Sequence, residues 1–397
     1  MNGRLRLFYF LYYGYVGAFL SYFAPYLRGL GFTGHQIGAI MLCAQLVAAP
    51  AALAWGQLGD RLRAPSQALK LCALGALGAM AALPFARTPL AVGAVLVAHA
   101  IFGGAVVPLL DATTMEAVRR DPGGPTYSRT RLFGSLGFIV SAQGLGLALS
   151  ARGERPADLL VPLAMLAFVV GYALLAQRSV SEIGSLPSAA RASTEERPHL
   201  RDAATLLRSP PLLVLLAACA LHWASLSPYH LFFGVLIRDL ALPASLTGLA
   251  LAVGVCAEVA AFFAFPALER RVPLQPLFAL SFAATALRWL LVSRATSAFA
   301  LVALQLLHGL SFGLFWGCAV ESLGRIVPAR LRATGQAIFS AVVFGAGNAL
   351  GSGFAGAAYD RFGSVGPLFA AASAIELIPL ALVAVLGAIL SRRPLMV

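Results

Sequence analysis

The side chains able to do chemistry in this chain are few, and most of them interrupt long apolar runs. Glu258 lies near the middle of such a run, with Cys256 and small or apolar neighbours and no basic residue within a turn. A carboxyl taken out of water favours its neutral form, which suits a group that must gain and lose a proton. Asp111 and Arg131 fall at matching depths of two successive apolar runs. They are expected to form a buried pair that organises an anionic ligand or releases Asp111 to carry a proton. His99, His222 and His308 are each set inside an apolar run, and imidazole can shuttle protons near neutral pH. Glu258, Asp111, His222 and His308 are therefore the proton-coupling candidates. Together with Glu258 the histidines make a relay if the fold brings them together. Glu321 is a second acidic possibility, and Glu376 is assigned no role.

Phe8, Tyr12, Tyr15, Phe19, Tyr22 and Tyr26 recur every three or four residues, which puts them on one helical face. Such a face can stack on a planar ligand while tyrosine hydroxyls orient it. Tyr26, nearest the end, is expected in an interfacial aromatic belt. Gln45 and Asn348 add polar groups inside apolar runs. The ligand-binding candidates are Tyr12, Tyr15, Phe19, Tyr22, Gln45, His99, Arg131 and Asn348.

No nucleophile motif, phosphate-binding loop or cluster with metal-ligand spacing accompanies these residues, so the chain does not read as an enzyme and no cofactor or metal is expected. The five cysteines, Cys43, Cys72, Cys219, Cys256 and Cys318, all sit in apolar segments without a CxxC pair. They read as small buried residues.

The elements that must hold these residues are membrane helices. Of 397 residues, 59% are hydrophobic and 11% charged, against about 25% charged in soluble domains. A span needs roughly 20 apolar residues. Twelve are expected, at 5–27, 36–57, 68–86, 89–117, 128–151, 158–177, 210–237, 245–268, 273–292, 296–326, 334–358 and 363–390. The polar stretch 178–209 reads as a linker between an N-terminal bundle, 1–177, and a C-terminal bundle, 210–397. A shift of 209 positions carries Asp60-Arg61 onto Glu269-Arg270 and His99 onto His308, so the halves read as repeats. With both ends on one side of the membrane, that side collects 21 Lys and Arg against 7 opposite, with Arg288 left inside a span. The positive-inside rule then puts both termini and the linker in the cytoplasm. The net charge of +13 is spread between apolar runs rather than gathered in a soluble domain, which argues for lipid and against nucleic acid as partner.

Gly56-Gln57-Leu58-Gly59-Asp60-Arg61-Leu62-Arg63 resembles the G-x-L-x-D-R-x-G-R-[RK] signature of the major facilitator superfamily, departing at the second glycine and in its basic tail. Phe265-Pro266-Ala267-Leu268-Glu269-Arg270-Arg271 is a more degraded counterpart. Val327 to Gln336 is similar to that superfamily's loop entering span 11. Leu7 to Tyr13 running into Gly31-Phe32, Pro108 to Asp111, and Tyr127 to Phe138 resemble its phenylpropionate-permease and nucleoside-symporter-like branch, relatives of the lactose permease. The resemblance implies an all-α fold of twelve transmembrane helices in two six-helix halves, with substrate bound between them and alternating access. It further implies proton-coupled uptake in the inner membrane, by a protein expected to be monomeric. Asp60, Arg61, Glu269 and Arg270 are then expected in the gates. An aromatic carboxylate is the expected substrate. A nucleoside or sugar symporter, an exporter and a transporter-like sensor are the alternatives. The missing Gly-Pro motif of drug antiporters in span 5 argues against export.

Overall fold

A computed structural model describes residues 2–61, 65–121, 123–179 and 205–391. The described residues are helical, with no strand among them. Twelve helices are long and apolar enough to cross a membrane: α1 Gly3–Gly29, α2 Gly34–Gly59, α3 Ser66–Phe85, α4 Pro89–Arg120, α5 Tyr127–Ala151, α6 Leu160–Arg178, α7 Pro210–Asp239, α8 Ala244–Glu269, α9 Leu274–Val292, α10 Ala298–Ile326, α11 Thr334–Phe362 and α12 Val365–Ser391. Most of the linker expected at 178–209 lies outside the described residues. Large side chains such as Phe263, Phe299 and Leu350 are exposed, the surface a spanning helix offers to lipid tails rather than to water.

Local chemistry sets the helix ends. Thr33 and Gln36 form a reciprocal capping box at the start of α2: the Thr33 hydroxyl accepts from the Gln36 amide at 3.1 Å, and Gln36 Oε1 accepts from the Thr33 amide at 3.0 Å. Thr88 and Ser297 cap α4 and α10 in the same sense, each accepting from an amide three residues on. Asp158 accepts from the Leu160 amide at 2.9 Å and from Arg152 Nε at 2.8 Å. That arginine hydrogen bond, foremost, holds the Asp158 carboxyl below the usual carboxylate range. Gly363, at φ 70°, ends α11 in the left-handed conformation that a side chain would strain.

The described residues divide into two compact units. One holds α1–α6 with Ile237–Leu249, and the other holds the rest of α7 to α12. In the first unit α1 packs along α5 and α6. A Cβ at Gly137 would overlap the Phe10 carbonyl, so glycine there lets the α1 and α5 backbones meet. In the second unit α12 packs against α7 and α9, and α10 lies against α9. That tenth helix is not α-helical throughout: Leu304–Leu307 is a 3₁₀ turn and Gly309–Leu314 a π-helical one. Such departures loosen the regular backbone ladder and often coincide with functional positions.

Candidate functional site

The aromatic face of α1 is inside the first unit. Tyr15 and Tyr22 are buried, Tyr12 and Phe19 half-buried. The Tyr12 ring lies 5.7 Å from Tyr172 and 6.4 Å from Tyr15, and Tyr15 lies 5.9 Å from Phe19 and 5.2 Å from His99. His99 Nδ1 is 3.4 Å from the Ala76 carbonyl, which requires Nδ1 to carry the proton if the contact is a hydrogen bond. Tyr22 spends its hydroxyl on the Ala142 carbonyl, at 2.7 Å, and so works as a strut between helices. Tyr26 is not a belt residue. At 2% exposure, stacked on Phe23 at 6.2 Å, it belongs to the packed interior.

The pair expected of Asp111 and Arg131 is not made. The Asp111 carboxylate accepts from the Tyr9 hydroxyl at 2.5 Å, and that hydroxyl also reaches Thr114 Oγ1 at 3.2 Å. The half-buried Arg131 guanidinium lies over the Tyr13 ring, 3.8 Å from its centroid, and 5.7 Å from that of Tyr9. Tyrosine therefore stands where the ion pair was expected: it gives Asp111 a neutral donor and leaves the Arg131 charge on aromatic faces. No carboxylate within 4 Å pairs with Arg131 among the described residues.

The second unit gathers the other titratable groups around Arg288. This arginine is wholly buried, its guanidinium 4.5 Å from the ring centroids of both Tyr229 and Trp289. It donates to His308 Nδ1 at 2.9 Å, to Ser311 Oγ at 2.8 Å and to Gln305 Oε1 at 2.5 Å. A guanidinium only donates, so Nδ1 of His308 must accept and Nε2 must carry the proton. Nε2 faces Glu258 Oε2 at 3.6 Å, and the Glu258 side chain is 22% exposed. A second proton on His308 would set N–H against N–H at Arg288. Glu258 is the carboxylate that this ring faces.

His222 reaches the same cluster from α7. Its Nε2 lies 3.0 Å from the Ser311 carbonyl, in the π-helical turn of α10. Its Nδ1 lies 2.8 Å from Glu376 Oε1, off-line for an aligned hydrogen bond, and Ser225 Oγ donates to the same carboxyl oxygen. Both His222 and Glu376 are fully buried. His222 and His308 thus lie on either side of Ser311 and Arg288, whose carbonyl and guanidinium cannot pass a proton from one ring to the other, whereas His99 stays with the tyrosines of the other unit. The 209-residue shift puts Ala49 and Ala79 at the first-half positions matching Glu258 and Arg288, so the repeat duplicates the histidine without its charged partners.

Gln45 and Asn348 are half-buried and make no side-chain hydrogen bond among the described residues. Of the gate candidates, Glu269 pairs with Arg325 at 2.8 Å, a contact shared with Glu321. Arg61 and Arg270 are exposed, and the Asp60 side chain lies outside the described residues. Sequence reasoning missed Arg288, Tyr9, Tyr13 and Ser311, and left Glu376 without a role. The lone arginine inside a span was the visible signal for Arg288, since such a charge needs interior partners. Nothing in the spacing marks Ser311.

Residues 3–371 match the MFS_1-like family. The chain is a major facilitator superfamily transporter. It is 30% identical to a maltose permease of Geobacillus stearothermophilus over 356 residues, covering 88% of this chain and 84% of that protein. It is 27% identical to a probable 3-phenylpropionic acid transporter of Escherichia coli (strain K12), covering 90% and 91%. Among solved structures the nucleoside transporter NupG superposes with a TM-score of 0.82 over 99% of both chains at 16% identity, a likeness of fold. This transporter is a multi-pass membrane protein, and its relatives are transporters rather than enzymes.

Proposed function

We propose that this transporter takes up a small aromatic carboxylate together with a proton. The observation that carries the reading is Arg131: a half-buried guanidinium resting on Tyr13, whose ring leads on to Tyr12 and then Tyr15, with no carboxylate within 4 Å of it among the described residues. A planar, bidentate donor at the end of an aromatic row is suited to hold a carboxylate whose ring stacks along α1. Phe19, His99 and Tyr172 line the same interior. The 3-phenylpropionic acid relative supports this substrate class.

Proton coupling rests on Glu258. Ionised, it offsets the Arg288 charge across His308; protonated, it leaves a neutral acid beside a neutral imidazole. A symporter needs loaded and empty carriers to isomerise readily while half-loaded ones do not. One carboxyl whose charge balances a buried cation meets that need. Asp111, held by Tyr9, is the second proton candidate. In this proposal both termini are cytoplasmic, the membrane is the inner one, and Asp60, Arg61, Glu269 and Arg270 act in gating at the cytoplasmic helix ends. A maltose-type substrate is the alternative, supported by the 30% identity to a maltose permease. Binding measured by tryptophan fluorescence on purified protein distinguishes them: 3-phenylpropionate saturates the signal and maltose does not. Saturation by maltose alone overturns the substrate proposed here.

A further inference from the structure

Trp223 has no part in the transport scheme above, yet two irregular turns are built around it. Among the described residues two turns are π-helical, Gly309–Leu314 in α10 and Ala341–Gly347 in α11. Such turns are rare and often mark functional positions. Each carries one phenylalanine onto Trp223 of α7: the Phe312 ring lies 5.6 Å away, and the Phe344 ring stands across it at 4.6 Å and 77°. Close backbone approach sets this arrangement. A Cβ at Gly347 would lie 2.8 Å from the Ala220 carbonyl oxygen and one at Gly351 would lie 2.6 Å from Ala224 Cα, so glycines let α11 close on α7. His222, the neighbour of Trp223, lies 3.0 Å from the Ser311 carbonyl and ties α7 to the turn that carries Phe312.

Packing alone does not account for these three rings. Phe315 and Phe339, which lie against Trp223 and Phe344, are fully buried, whereas Trp223, Phe312 and Phe344 are half-buried. Their open faces adjoin water rather than lipid. Phe312 stacks on His308 at 5.3 Å and 24°, and His308 faces Glu258, whose side chain is 22% exposed. A carboxyl exposed inside a span faces a wetted cavity, not acyl chains. Trp223 Nε1 is buried without a hydrogen-bond partner, and an indole N–H can only donate.

We propose that Trp223, Phe312 and Phe344 form a ring-binding site of the second unit, whose solute carries an oxygen on its aromatic ring that accepts from Trp223 Nε1. Two rings set at a steep angle offer a guest ring one face to stack on and one edge to meet. The indole N–H supplies the discrimination: a ring oxygen satisfies it, whereas a bare ring leaves a buried donor unpaired. The inference rests on the aromatic-acid reading above and narrows it to acids bearing a ring hydroxyl or ether.

The test is calorimetric binding to the purified transporter, comparing 3-phenylpropionate with its counterparts hydroxylated at the ortho, meta or para position. At least one hydroxylated acid is expected to bind about fivefold tighter than 3-phenylpropionate, the effect of one added hydrogen bond to a buried donor. Trp223→Phe keeps a ring and loses the N–H. It is expected to bind all these acids alike, with 3-phenylpropionate within about twofold of its native affinity. A native protein without the preference, or a preference that survives in Trp223→Phe, overturns the site. Should Trp223→Phe fail to assemble, Phe344→Leu keeps apolar bulk and loses a ring. That variant is expected to weaken 3-phenylpropionate about fivefold and the ring-saturated 3-cyclohexylpropionate less than about twofold, and equal losses overturn the site. A native protein that binds none of these acids overturns the aromatic-acid reading and the solute named here together, a result distinct from bound acids that ignore Trp223.

Discussion

Which side chain carries the proton depends on which atoms are left free to gain or lose one. Arg288 donates to Nδ1 of His308, so that ring stays neutral and its Nε2–H is turned toward Glu258. Glu258→Gln is therefore expected to abolish accumulation driven by a proton gradient in proteoliposomes while leaving counterflow exchange intact. Unchanged uphill accumulation in that variant would rule Glu258 out. Arg131 gives a second expectation. Lysine keeps its charge but not the planar surface stacked 3.8 Å above Tyr13. With a stacking contribution of about 1–2 kcal/mol, Arg131→Lys should raise the apparent KM for 3-phenylpropionate about tenfold. An unaltered KM would place the carboxylate elsewhere.

Among the helices, close backbone approach and capping decide which contacts tolerate change. Gly137→Val would put a side chain into the Phe10 carbonyl, and overpacking of this kind costs about 1–3 kcal/mol. A lower melting temperature in detergent, with α1 and α5 forced apart, is the expected outcome. Asp158 gives a pH-dependent case. Its carboxyl is held below its ordinary range by Arg152, so the contribution is complete above the unfolded-state carboxylate range and fades as pH falls through the lowered folded value. Melting curves should show Asp158→Asn less stable than the native protein near neutral pH and equal to it in strong acid. The helices themselves were legible because about twenty apolar residues must be consecutive to span lipid, and each expected span falls on one observed helix. Their partners were not. A period of three or four puts Tyr12, Tyr15 and Phe19 on one face but does not say that Tyr9 and Tyr13 come between Asp111 and Arg131. Glu376 shows the same limit: it is mid-helix in the last span, and only the packing of α12 on α7 reveals His222 as its neighbour.

At the scale of the whole molecule, the repeat explains why the chemistry is unequally shared. His99 and His308 occupy matching positions, yet Ala49 and Ala79 stand in the first half where Glu258 and Arg288 stand in the second. The first unit offers rings and a cation on its own aromatic faces, and the second offers titratable groups around a buried cation. Substrate chemistry and proton chemistry are thus expected to separate under mutation. Variants of Arg131 should shift KM, and variants of Glu258 should shift the response to a proton gradient. Joint movement of an aromatic carboxylate and a proton can be read directly in vesicles. Purified transporter is placed in proteoliposomes containing a pH-sensitive dye, and 3-phenylpropionate is added outside without an imposed gradient. Coupled uptake acidifies the interior in step with the added substrate, and this acidification is absent with Glu258→Gln. Entry of radiolabelled 3-phenylpropionate with no change in internal pH beyond that of protein-free vesicles would contradict it.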